Sequence, residues 1–172
     1  MKWHRPILAL LVISATLRPL SAIWVPQNRK EFVEAVSDGA GATKMERFVV
    51  ERSLDEIYRD LERHSTSCLD KEVRRSGFVG GQMEVSSSDY NPTLRRIARG
   101  SAEFTLQVIH RPRGIGHTPP PGGLYVMAAD LRSLGQGKTE IVLYRPTIGF
   151  KKITKSFIQW SSDESDECPK LN

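Results

Sequence analysis

Cysteine is scarce in this chain: only Cys68 and Cys168 occur among 172 residues. That excludes a small scaffold knotted by several disulfides and a zinc module built on four cysteines. Long apolar runs are absent too. The longest, Ile7–Leu17, has eleven residues, against the roughly 20 that a membrane-spanning helix needs. No internal repeat occurs. Intact nucleotide-binding motifs are also missing. The segment Gly135-Gln-Gly-Lys138-Thr139 resembles the end of a phosphate-binding loop, but Arg132 stands where that motif needs its first glycine. Its Lys-Thr pair also opens a strand, not a helix whose N-terminus could receive phosphate. We read it as a hairpin turn. Asn91-Pro92-Thr93 is no glycosylation acceptor, because proline fills the middle position.

What is present begins with an export signal. Lys2 and Arg5 precede the apolar run, and Arg18-Pro-Leu-Ser-Ala22 supplies small residues at an expected cleavage point. We therefore expect residues 1–22 to be a signal peptide, 23–46 an N-terminal helix and linker, and 47–172 one α+β domain. No cysteine lies near the cleavage point, so a lipid-anchored form is not expected. The signal also explains most of the basic character. It holds three of the 25 Lys and Arg residues and no acid, leaving 22 against 20 and a net charge near +2. Such a balance does not call for a nucleic-acid partner. With no second long apolar run, no transmembrane span is expected in the mature chain.

In an exported protein two cysteines are expected to pair, and only one pairing exists. Closing a loop of about 100 residues is worth up to ~4.7 kcal/mol in the chain-entropy treatment.

Local signals outline the elements. Asn28 and Glu31 have capping spacing ahead of Phe32, Val33 and Val36, which predicts a small, loosely docked helix ended by Gly39-Ala-Gly41. Ser53 and Glu56 form a second capping signature. Behind it Leu54, Ile57, Tyr58, Leu61, Ser65 and Cys68 recur at helical spacing. Strands are predicted around 47–51, 72–75, 82–85, 103–110, 124–129 and 139–144, with a turn at Ser86–Pro92. A last helix follows from Phe150, Ile153, Phe157 and Trp160. Short strands without intervening helices favour antiparallel pairing. The expected fold is thus α+β: an antiparallel sheet with two main helices packed on one face and one disulfide.

Three segments, Phe48-Val-Val…Cys68-Leu69, Gly122–Asp130 and Trp160…Cys168-Pro169, resemble a loose set of bacterial cell-envelope proteins and lipoproteins of unknown function. Those share a helix-ending cysteine and a Trp-to-Cys-Pro tail. The resemblance implies an envelope setting and no particular activity.

Few residues offer chemistry. His64 and Cys68 stand four apart on a helix, but two ligands do not make a metal site, and Cys68 is expected in the disulfide. Arg74 and Arg75 with Arg95, Arg96 and Arg99 read as a basic strip or a solvated sheet face. The segment Arg111-Pro-Arg113-Gly-Ile-Gly-His117-Thr-Pro-Pro-Pro-Gly-Gly123 exceeds ordinary hairpin length. Arg111, Arg113 and His117 are its candidate contacts to an anionic ligand or partner. No catalytic residue, metal site or cofactor is assigned. The expected role is a non-enzymatic binding module whose partner is an envelope protein or a small ligand. The alternatives are a hydrolase or other enzyme whose residues converge only in three dimensions, and a carrier of apolar ligands.

Overall fold

In the computed structural model, which describes residues 25–111 and 119–171, the first helix opens at Asn28 as its spacing predicts. Asn28 Oδ1 accepts the Glu31 N–H at 3.0 Å, and the Glu31 carboxylate accepts the Gln27 N–H at 2.9 Å. Helix α1 spans Arg29–Ser37. Strand β1, Thr43–Val50, leads into α2, Leu54–His64, whose N-terminus carries the full Ser53–Glu56 capping box. A π-helical turn, Ser65–Leu69, follows without a break and buries Ser65, Cys68 and Leu69. Five strands come next: β2 Lys71–Val79, β3 Gln82–Ala98, β4 Ser101–Arg111, β5 Leu124–Gly135 and β6 Lys138–Pro146. Helix α3, Lys151–Ser162, closes the order.

All six strands form one antiparallel sheet in the order β1-β6-β5-β4-β3-β2. The first strand thus pairs with the last, Phe48 opposite Ile141 and Val50 opposite Thr139. The Gly135–Gly137 segment is the β5–β6 turn, where Gly135, Gln136 and Gly137 all take positive φ.

Alternation along the strands sorts two apolar clusters. Phe104, Leu106 and Val108 of β4, Met127, Ala129 and Leu131 of β5, and Ile141 and Leu143 of β6 join Leu54, Ile57 and Leu61 of α2 and Ile153, Phe157 and Trp160 of α3. The intervening residues Ala128, Val142 and Tyr144 instead meet Phe32 and Val36 of α1. The latter contact corrects the expectation of a loosely docked first helix. Phe32 and Val36 are buried, and Arg29 reaches Glu103 and Asp130 on the strands.

A second correction concerns Ser86–Pro92, which forms no turn. Strand β3 runs straight through, with Pro92 opposite Leu106. The physical reason is that β2 accompanies β3 only from Gln82 to Tyr90. By Pro92, β3 has become an edge strand, where a missing N–H is tolerated. The basic strip does not assemble either. Arg74 and Arg75 lie opposite Ser87 and Ser86, well away along β3 from Arg95 and Arg96. Arg95 pairs with Glu103, while Arg96 pairs with Asp55 and lies over the Tyr58 ring.

Candidate functional site

Cys68 and Cys168 form the expected disulfide, with their Cα atoms 5.2 Å apart. It is one of several ties that fold the C-terminal tail back along α2. Trp160 Nε1–H donates to the Glu167 carbonyl at 3.2 Å. The buried His64 ring stacks on Trp160, with centroids 4.9 Å apart and planes within 7°, and its Nε2 meets Asp166 Oδ1 at 3.0 Å. Arg63 donates to both Asp60 and Asp166. Leu171 then packs against the main apolar cluster. His64 and Cys68, read from the sequence as a pair at helical spacing, thus act together on the tail.

Where the tail ends its return, a cavity of about 360 Å³ opens at the start of α3. Tyr90 of β3, Phe150 and Ile153 give it apolar walls, and Lys151, Lys152 and Lys170 line it as well. Phe150 is held in an unusual way. It sits just before α3 at φ +48°, directly after Gly149 at φ +77°. Left-handed backbone is uncommon for a bulky residue and is sustained only by its surroundings. Here the Phe150 ring packs on the core. No side chain caps α3, and its first turn contains no acid. Cations at that position oppose the helix dipole. Among the described residues, Lys151, Lys152, Lys155 and Lys170 form no ion pair, unlike Lys30, Lys44 and Lys138. Burial raises the pKa of the Tyr90 phenol, so this wall stays neutral.

Lys151 also lines a neighbouring cavity of about 320 Å³, with Thr154, Lys155 and Ile158 of α3 and the Glu46–Arg145 pair. Burial works to raise the Glu46 pKa, yet hydrogen bonds from Lys44 and Arg145 outweigh it and hold the carboxyl below its usual range. Arg145 Nε is buried without a partner among the described residues.

A third concavity, about 570 Å³, is charged throughout and lies at the far end of α3. Arg52, Arg59 and Arg63 there face Glu56, Asp60, Asp163 and Asp166. Arg52 spans it, donating to Asp60 Oδ2 at 2.6 Å and to the Trp160 and Ser161 carbonyls.

No protein-family model and no curated protein matches the chain. The site therefore rests on its own geometry. Of the residues singled out in the long loop, Arg111 pairs with Asp89 at 2.9 Å, while Arg113 and His117 lie outside the described residues, as do residues 1–22, expected from the sequence to be a signal. Closing that loop, Gly123 has φ +101°, and a Cβ there would meet the Val108 carbonyl oxygen at 2.4 Å, so only glycine fits. Sequence reasoning missed the cavity at α3, whose walls come from a strand, a helix start and the tail. One signal was available: Lys151-Lys152 occupies a first helical turn, where acids are favoured.

Proposed function

We propose that this chain is an exported envelope protein that works by binding, and that its ligand is a small amphiphile with an acidic head. The observation that carries the reading is the cavity at the start of α3. Its volume of about 360 Å³ lies within the range of small-molecule sites. Tyr90, Phe150 and Ile153 would hold an apolar body, while Lys151, Lys152 and Lys170 would meet the acid. An anion there would also relieve the repulsion among cations set against the dipole of α3. The reading takes α2 and α3 as packed together on one face of the sheet, as their shared cluster supports. It takes the disulfide as holding the Lys170 wall in place. A disulfide closing the fold suits an oxidising compartment, and residues 1–22 have the layout of an export signal.

One observation favours an enzyme instead, namely the His64–Asp166 pair close to the charged concavity. It lacks an adjacent nucleophile among the described residues. The Ser65, Ser67 and Ser161 hydroxyls donate to backbone carbonyls. The His64 ring is buried against Trp160, with Nε2 on the tail's own acid. Holding the tail accounts for that pair.

The test is calorimetric titration with monomeric dodecanoate and with dodecylamine, in wild type and Lys152→Glu. Saturable binding of dodecanoate alone, weakened about tenfold or more in Lys152→Glu, is expected. Lys152→Glu should meanwhile unfold at slightly higher denaturant, because the substitution suits the helix dipole by ~0.3–1 kcal/mol. Equal binding of both amphiphiles, or of neither, would overturn the ligand class. Export is tested separately, by fractionation and by alkylating the unreduced protein; two reactive thiols would sink it.

A further inference from the structure

The antiparallel order brings several separate segments to one end of the sheet. Strand β6 finishes there at Pro146, β5 begins there at Leu124, and β4 reaches it at Arg111. The β2–β3 turn at Gly80-Gly81 lies at the same end, and farther out. Beyond Ser87 the described partner of β3 is β2 alone, so among the described residues the hairpin from Arg75 to Ser86 extends past the end of β4.

What projects is apolar. Phe78 and Met83 lie directly opposite each other across the hairpin and are 78% and 67% exposed. Val85, on the same side of β3 as Met83, is also exposed. A second apolar tip stands on the loop from β6 to α3, where Ile148 is 77% exposed. The first turns of α3 follow, with Lys151, Lys152 and Lys155, and the tail adds Lys170. Three acids of this end are committed to ion pairs, and three are not. Glu46 is held by Arg145, Glu72 by Arg74 and Asp89 by Arg111. Asp38, Asp70 and Glu84 have no ion pair among the described residues, and neither do Lys71 and Arg75 on β2. The opposite end also exposes apolar residues, Ile97 and Leu134, but there Arg52 and Arg63 are matched by Asp60 and Asp166.

Two exposed apolar tips and unpaired lysines at one end of the molecule set two requirements: an apolar layer to enter and negative charge above it. We infer that this end of the protein docks on a lipid bilayer carrying anionic headgroups. The hairpin tip and Ile148 enter the interfacial region, and Lys151, Lys152, Lys155 and Lys170 lie among the headgroups. Each lysine near such a surface adds favourable energy that salt screens. Apolar side chains add a contribution that salt does not remove. A second copy of this chain is a poorer occupant, because the same lysines would face each other across a two-fold contact. The inference goes beyond the cavity ligand, since a bilayer would meet the end of the molecule whether or not the cavity is filled.

Sedimentation with sucrose-loaded vesicles tests it. Vesicles are phosphatidylcholine alone or mixed with phosphatidylglycerol, and wild type is compared side by side with Phe78→Ser/Met83→Ser and with Lys152→Glu/Lys155→Glu. All these side chains are on the surface, and circular dichroism confirms that each variant is folded. Wild type is expected to partition about tenfold more strongly onto the phosphatidylglycerol mixture. Added salt and the lysine variant should remove that preference, and the hairpin variant should lower partitioning to both vesicle types by a similar factor. The hairpin variant should still bind monomeric dodecanoate, so failure of docking and failure of the cavity reading are separable. Equal partitioning of wild type and both variants would overturn the inference. So would a self-association that Phe78→Ser/Met83→Ser abolishes in a protein that never sediments with vesicles.

Discussion

The strands of this sheet serve two kinds of stabilisation on alternate residues. One set of alternate positions is apolar and shares a cluster with residues of α2 and α3, in which Phe104 of β4 and Phe157 and Trp160 of α3 are almost wholly buried. Positions between them, where α1 docks, carry a lattice of ion pairs. Arg95 pairs with Glu103, which also faces Arg29; Arg29 pairs with Asp130, which accepts the Tyr144 hydroxyl. On the next row Glu140 lies between Arg132 and Arg47. The lesson concerns tolerance. Apolar burial is non-directional and scales with area, whereas a part-buried charge depends on its particular partner.

The largest expected effect comes from breaking the apolar set. Trp160→Ala removes a wholly buried ring, the stack on His64 and the donor to the Glu167 carbonyl. It should cost ~3–5 kcal/mol in equilibrium denaturation. A loss under about 1 kcal/mol would mean that this side is not the main source of stability.

Next comes the polar set. Arg29→Ala leaves Asp130 without its cation and Glu103 with Arg95 alone, at an expected cost of ~1.5–3 kcal/mol. Replacing Arg29 and Asp130 together by methionine should recover most of that loss, because a removed pair leaves fewer charges unmatched. If the double variant were as unstable as the single one, the pair would be contributing through packing instead.

The smallest effect sharpens the contrast through pH. Burial, then the Asp130 charge and hydrogen bond, push the Tyr144 phenol from its ordinary value near 10 up to about 12. The fold thus favours the protonated form. That stabilisation is complete below the unfolded value and is lost as pH rises through the folded one. Stability should therefore fall between about pH 10 and 12, and Tyr144→Phe should flatten that decline. Parallel losses in both proteins would show that Tyr144 is not the group responsible.

The apolar side was legible in the sequence because its signals are local. The α2 stripe, the Ser53–Glu56 box and the alternation of Phe104, Leu106 and Val108 each lie within a dozen residues. Helix α1 was found by its cap, but its docking was not, because Ala128, Val142 and Tyr144 lie about a hundred positions away. Arg29, Glu103 and Asp130 looked like ordinary surface charges for the same reason. His64 stood out, while its partner Asp166 was only one acid in an acidic run. Pro92 was read as part of a turn because nothing local shows that β2 stops opposite Tyr90 and leaves Pro92 on an edge. The cavity at α3 joins Tyr90, Phe150 and Lys170, and no local pattern spans those three.

The pairing of β1 with β6 also has a bearing on how the chain reaches this state. Val50 lies opposite Thr139 and Thr43 opposite Pro146, so every rung of that ladder joins residues roughly ninety or more positions apart. The strand made first must wait for the strand made last, and its sticky edge stays open while the meander from β2 to β5 assembles beside it. Such distant closure makes for slow folding. Cys68 waits in the same way for Cys168. In a chain delivered from its N-terminus, sheet completion and covalent closure then fall at nearly the same late moment, and the bond becomes a timestamp of finished assembly.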